Sequence, residues 1–283
     1  MTTGLRWGIK TSQQHTTYEA IVPVWKEADA NPVFTHAWLF DHFNPIVGSV
    51  DGPCYEGWTM LGALAAQTER LRMGLMVAGN TYRNPAVHAH IAATVDLISK
   101  GRLDFGVGAG WNVYEHESMG IPLYEPAERI RRLGEACEIA KLLFTQDVSS
   151  FDGKYYQLKE ARLEPKPVQK PYPPFVIGGG GEQLTLRVVA KYADIWNHGG
   201  VDVEVFKHKV EVLHRHCETI GRDPNEIELS VQVRIDYADI SGSLAVLQPM
   251  IEAGATHFIL MCSYPYPDGI VATLAEEITK QYG

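Results

Sequence analysis

Short apolar runs alternate with longer stretches of helical spacing along almost the whole chain. LRWGIKT (5–11) reads as a strand, and TYEAIVPVWKEADA (17–30) puts Ile21, Val24, Trp25 and Ala28 on one helical face. THAWLFDH (35–42) with the helix EGWTMLGALAAQTER (56–70) repeats the unit. RMGLMVAG (72–79) and AVHAHIAATVDLISKG (86–101) repeat it again, with Gly101 as the helix stop. RLDFGVGAG (102–110) is a fourth strand, followed after a loop by the helix AERIRRLGEACEIAKLLF (127–144). Four further strands, PFVIGG (174–179), DIWNHGG (194–200), IELSVQVRID (227–236) and THFILMCS (256–263), each lead into a periodic segment. Those segments are EQLTLRVVAKYA (182–193), VEVFKHKVEVLHRHCETIG (203–221), SLAVLQPMIEAG (243–254) and GIVATLAEEITKQY (269–282).

Eight such units predict a (β/α)8 barrel, a TIM barrel occupying 1–283 as a single α/β domain, with an open doubly wound sheet as the alternative. The rhythm breaks once. VSSFDGKYYQLKEARLEPKPVQKPYPP (148–174) holds a DG turn between β-prone flanks and then a proline-rich tail. It reads as an insertion before strand five, a hairpin followed by an extended segment, because the strand–helix rhythm resumes directly after it. A linker between two domains is the other reading of that tail.

Composition narrows the class. With 45% hydrophobic and 21% charged residues the chain is ordinary for a globular protein, and its net charge of −9 opposes nucleic acid or an anionic membrane as partner. The four cysteines, Cys54, Cys137, Cys217 and Cys262, are far apart and form no CxxC pair, so a disulfide framework or zinc site is not expected. No apolar signal core opens the sequence, and the expected location is the cytoplasm.

In a barrel of this kind the chemistry sits where the strands end. The second strand ends in FDHFNP, which offers Asp41 and His42; a histidine at a barrel mouth suits proton transfer near neutral pH. The third ends in small and apolar residues, Met76, Val77, Ala78 and Gly79, which can form a flat backbone wall against a planar ring. The fourth ends in GVGAGWN, where Gly106, Gly108 and Gly110 leave room for a ligand and Asn112 offers a hydrogen bond. The fifth runs into Gly178, Gly179, Gly180 and Gly181 ahead of Glu182 and a helix, a setting in which bare backbone N–H groups approach an anion. A dinucleotide fold would place an acidic residue at the end of the next strand; here that end is Trp196, Asn197 and His198. The glycines therefore suggest a phosphate that does not belong to NAD. Trp7, Trp58, Trp111 and Trp196 are candidates for lining the mouth against a bulky or aromatic substrate. Asp104, Glu115 and Glu117 are read as structural or solvated, and the pairs His88/His90 and His214/His216 are spaced wrongly for a shared metal.

Four stretches, WLFDHFNP, EGWTMLGALAAQTERLRMGLMVAGNTYRNPA, AATVDLISKGRLDFGVGAGWN and PKPVQKPYPPFVIGGGGEQLTLRVVAKYADIWN, together resemble the luciferase-like monooxygenase superfamily. More narrowly, the sequence is similar to the oxidoreductases of that superfamily that use the deazaflavin coenzyme F420. The resemblance implies a barrel with an inserted strand pair and a non-proline cis peptide at or near Met76–Val77 backing the coenzyme ring. It implies ring contacts from Asp41 and His42, proton handling by His42, a coenzyme contact from Asn112 and a phosphate cradle at Gly178–Gly181 with the start of the following helix. It implies hydride transfer to or from a small organic substrate, and a homodimer. FMN with molecular oxygen is the alternative cofactor chemistry, and a coenzyme-binding barrel without turnover is a third reading.

Overall fold

A computed structural model describes residues 4–283. The first half contains β1 (Arg6–Thr11), α1 (Tyr18–Ala30), β2 (Phe34–Leu39), α2 (Gly57–Ala65), β3 (Arg72–Leu75), β4 (Ala78–Gly79), α3 (Pro85–Ile98), β5 (Phe105–Gly108), α4 (Val113–Met119) and α5 (Pro126–Thr145). Then come β6 (Ser149–Asp152), β7 (Gln157–Ala161), β8 (Phe175–Gly178), α6 (Thr185–Tyr192), β9 (Ile195–His198) and α7 (Val203–Ile220). The chain ends with β10 (Glu228–Arg234), α8 (Ile240–Ala245), α9 (Gln248–Glu252), β11 (His257–Cys262) and α10 (Ile270–Tyr282).

All strands except β6 and β7 form one parallel sheet in the order β3-β2-β1-β11-β10-β9-β8-β5-β4. Its two outer members are consecutive in the chain and separated by Met76 and Val77 alone. The sheet therefore closes on itself through a third strand broken in two: β3 pairs with β2, and β4 pairs with β5. A bridge from Met73 to Leu103 and the Asp104 N–H to Met73 carbonyl bond (2.7 Å) tie the lower half of the break to the same neighbour. The Met76–Val77 peptide is cis, at the position the resemblance implied. The barrel expectation holds, and helices cover its outside.

The break explains the glycines of β5. A side chain at Gly106 would run into the Leu75 carbonyl, and one at Gly108 would meet the Val77 side chain at 2.7 Å. The expected room for a ligand is thus occupied by the bent third strand, although Gly108 itself still lines the cavity described below.

Strand parity sorts the side chains into two cores. Trp7 and Ile9 face outward into the apolar layer under the helices, while Gly8 and Lys10 face the barrel axis. Inside the barrel, Trp38, Met76, Val176, Ile195 and Ile259 form an apolar plug. Below it, at the N-terminal ends of the strands, His36, Asp104 and His257 are buried together beside Arg6, Arg72 and Glu228. Above it lies the mouth.

Two local differences from the sequence reading bear on the site. The expected loop after the fourth strand contains the short helix α4, capped by the Asn112 side chain accepting from the Glu115 N–H. The helix after the glycines starts at Thr185, three residues later than the pattern suggests, and its N-terminus has no side-chain cap. Between α5 and β8, β6 and β7 pair antiparallel.

Candidate active site

A cavity of ≈ 410 Å³ opens at the C-terminal ends of the barrel strands. Asp41 and His42 from the end of β2, Met76, Val77 and Ala78 from the broken third strand, Gly108 from β5, Gly178 and Gly179 from β8, and Trp111 all line it.

The His42 ring is held from one side. Its Nδ1 lies 2.7 Å from Oε2 of Glu115, which is fully buried on α4. Oε1 of Glu115 accepts the backbone N–H groups of Phe43 (2.6 Å) and Asn44 (3.0 Å), and Oε2 also accepts the Tyr82 hydroxyl (2.5 Å). Burial works to raise the Glu115 pKa, but the hydrogen bonds from His42, Tyr82 and Asn44 outweigh it and keep the carboxyl below the usual range. Burial and the adjacent Glu115 push the Tyr82 phenol up, so it stays protonated and donates. A carboxylate acceptor fixes the imidazole proton on Nδ1 and leaves Nε2, which has no partner among the described residues, available to the cavity. The arrangement is a carboxylate-oriented imidazole on the lining of the cavity.

Asp41 has a different job. Its two oxygens take both N–H forks of Arg83 (2.6 and 2.9 Å), and Oδ2 also accepts the Gly79 N–H (3.0 Å). It is buried and anchors the end of β4 next to the cis peptide. Three of its acceptor positions are thus taken by Arg83 and Gly79, and it still lines the cavity beside the wall.

The glycine loop offers unpaired backbone donors. The N–H groups of Gly180, Gly181 and Glu182 have no partner among the described residues, and the Gly179 carbonyl is pinned by the Trp196 indole N–H at 2.7 Å. Facing the same cavity from α5, Arg129 makes no ion pair, and its Nε is buried without a hydrogen-bond partner. Sequence reasoning missed this cation, because nothing in the periodic run 127–144 marks one arginine as inward-facing. It also missed Glu115, whose contact with His42 spans 73 residues of chain. From sequence this stretch reads as a loop and Glu115 as structural or solvated, whereas the structure makes Asn112 and Glu115 the cap and third residue of α4.

Several expected residues lie elsewhere. Asn112 spends its side chain on the α4 cap and does not line the cavity. Gly180, Gly181 and Glu182 sit beyond the lining, and the Glu182 carboxylate is tied to Lys209 (2.5 Å) and His208 (3.2 Å) of α7. Of the four tryptophans only Trp111 is at the mouth, 60% exposed, with its ring 5.5 Å from His42. Trp7 packs on Phe258 and Tyr282, Trp58 on His88 and Phe105, and Trp196 stacks on Phe206. All three are buried in the layer between sheet and helices, because their positions point outward from the barrel or down from α2. No cluster that could hold a metal ion occurs among the described residues, and no described helix is long and apolar enough to cross a membrane.

Residues 6–242 match the model of the luciferase-like monooxygenase family. An uncharacterized protein of Mycobacterium tuberculosis is 34% identical over 62% of this chain and 61% of its own length. The F420-dependent glucose-6-phosphate dehydrogenase of Kineococcus radiotolerans is 31% identical over 71% of this chain and 59% of its own. The chain thus spans about three fifths of the length of these two curated relatives. The enzyme of the same name from Microbacterium testaceum is 30% identical over 84% of this chain and 70% of its own. Among solved structures, an F420-dependent secondary alcohol dehydrogenase in complex with an F420-acetone adduct superposes with a TM-score of 0.85, at 19% identity, over 98% of this chain and 99% of that one. Long-chain alkane monooxygenase (LadA) superposes with a TM-score of 0.82, at 16% identity, over 99% of this chain and 92% of that one; both likenesses are of fold.

Proposed function

The chain belongs to the luciferase-like monooxygenase family, and on that premise we propose that it is an oxidoreductase using coenzyme F420 to move a hydride to or from a small organic substrate. The observation that carries the reading is the His42–Glu115 pair, a buried carboxylate fixing one imidazole nitrogen while the other faces the cavity. Relatives named as F420-dependent dehydrogenases support the choice of coenzyme.

The residues present fit a flat coenzyme with an anionic tail. Met76, Val77 and Ala78 supply a wall, and the partnerless Arg129 guanidinium on the lining supplies an electropositive end, with the free N–H groups of Gly180 and Gly181 following just beyond the lining residues Gly178 and Gly179. When bound, the deazaflavin supplies two-electron hydride chemistry at a ring carbon. The protein's own part is acid–base. In the alcohol-oxidising direction Nε2 of His42 takes the proton from the hydroxyl oxygen as hydride leaves the carbon that bears it. Glu115 stabilises the imidazolium that results, and the reducing direction reverses both transfers. Trp111 shields the outer edge of the His42 ring.

The test is a parallel fluorescence titration of the purified protein with F420 and with FMN, followed by turnover of His42→Ala. Expected is tighter binding of F420, an affinity lowered about tenfold or more by Arg129→Gln through loss of one charge-assisted contact, and turnover lowered about 10²–10⁴-fold by His42→Ala with F420 binding retained. Preferential FMN binding would transfer the reading to oxygen-using flavin chemistry. Unchanged turnover in His42→Ala would remove its role.

A further inference from the structure

A second, smaller cavity of ≈ 100 Å³ lies at the barrel mouth beside the first, at the ends of β1, β2, β10 and β11. Two cations line it, Lys10 and Arg234, and among the described residues neither has a carboxylate partner. In a chain of net charge −9 two unpaired cations in one small cavity are an imbalance that calls for a ligand. The hydroxyls of Ser12 and Ser263, on the same lining, make no hydrogen bond either. Phe40 and Ile46 close the cavity with apolar surface. Burial pushes the Lys10 amine down to about 8, the mark of an ammonium held without a counter-charge.

Lys10 also stands on the partition between the two cavities. Its Nζ donates to Oε1 of Gln232 (2.8 Å) and to the Met76 carbonyl (3.3 Å), and both of those residues line the large cavity. An ammonium has three N–H donors, so one remains for the small cavity. On the other side of the partition the Phe40 ring meets the His42 ring edge-on, with centroids 5.3 Å apart. A group held at Lys10 is therefore one ring away from the proposed acid–base.

We propose that this small cavity is the seat of a substrate carboxylate, and that the substrate is a short aliphatic hydroxy or oxo acid whose anionic end is held by Lys10 and Arg234 while its carbinol or carbonyl carbon lies at His42. The proposal rests on the oxidoreductase reading for the second half of that sentence only, since the anion seat is made by the chain alone. The cavity is small, ≈ 100 Å³, which suits a carboxylate with a short carbon chain. The reaction in the oxidising direction leaves the carboxylate untouched: the carbinol C–H pair of electrons departs as hydride to the coenzyme, the O–H proton goes to His42, and a C=O bond forms.

Binding of hexanoate, hexanamide and hexyl phosphate to the purified protein, by calorimetry with and without F420, tests the seat. Hexanoate is expected to bind at least about tenfold more tightly than hexanamide, because an anion between two cations gains charge-assisted hydrogen bonds that the amide lacks. Lys10→Met and Arg234→Gln should each weaken hexanoate about tenfold or more, and Arg234→Gln, which touches nothing of the coenzyme wall, should leave F420 affinity within about twofold. Arg234 is exposed, so its variant keeps the test open even if Lys10→Met fails to fold. Equal binding of acid and amide, an unaffected Arg234→Gln, or no hexanoate binding to protein that binds F420 would each overturn the seat. Tighter binding of hexyl phosphate would overturn the carboxylate. Hexanoate binding to a protein that ignores F420 would sink the coenzyme and leave the seat standing.

Discussion

The His42 ring is fixed by a single carboxylate, Oε2 of Glu115 at 2.7 Å from Nδ1. Glu115 receives four hydrogen bonds, from Tyr82, His42 and the backbone of Phe43 and Asn44, so it holds its own position and the ring's at once. Glu115→Gln keeps the size but removes the charge that stabilises an imidazolium. It should lower kcat about 10–100-fold with F420 affinity unchanged, and move the pH profile of turnover toward lower pH. A structural role alone would lower thermal stability without moving that profile. At this scale the sequence was half legible. Asp41 and His42 stand out because they close an apolar strand, and a strand end is a local signal. Glu115 and Arg129 do not stand out, because what makes them special is a neighbour 73 residues away in one case and an inward-facing turn of a helix in the other. Tryptophan misled for the same reason: Trp7 and Lys10 are three positions apart on β1 and face opposite sides of the sheet, and only register decides which side is the barrel axis.

Among the elements, the broken third strand sets the shape of the site. β3 and β4 pair with different neighbours, and the peptide between them faces the cavity where a continuous strand would have paired straight through. The glycines of β5 are its counterpart. Gly108→Ala places a methyl group 2.7 Å from the Val77 side chain and should cost about 1–3 kcal/mol of stability by overpacking, with weaker F420 binding as Val77 shifts. Thermal unfolding and the titration measure the two effects, and no change in either would mean that Val77 has slack. The eight-fold rhythm of strands and helices was readable from period alone, and it gave the barrel. The short elements were not. α4 is about two turns inside what reads as a loop, and Pro249 at the first turn of α9 splits into two helices the run that looks like one.

For the whole molecule, the apolar plug of Trp38, Met76, Val176, Ile195 and Ile259 divides the barrel into an open mouth and a buried polar base. The base carries a pH liability. Burial holds His36 and His257 down to about 3, in the company of Asp104, Arg6 and Arg72, and His88 likewise beside Arg83. Unfolded, each would titrate near 6.5, so below that value the unfolded chain binds protons that the folded one refuses, and stability falls as pH falls. The limit is about 1.4 kcal/mol per pH unit for each histidine. Asp104, held near 2, contributes a loss only below about 4, where an unfolded carboxylate protonates. The melting temperature should therefore drop steadily from pH 6.5 to 5; a flat profile would mean that these rings are hydrated or charged in the native state. The mouth carries an asset of another kind. Five of the six tryptophans are buried, and the sixth, Trp111, stands 60% exposed against His42. The protein thus has one solvent-accessible indole, placed on the cavity at the barrel mouth, so acrylamide quenching of its natural emission reports occupancy of the mouth without a label. Any ligand that covers Trp111 will lower the quenching constant, including colourless acids and alcohols that no coenzyme signal would reveal.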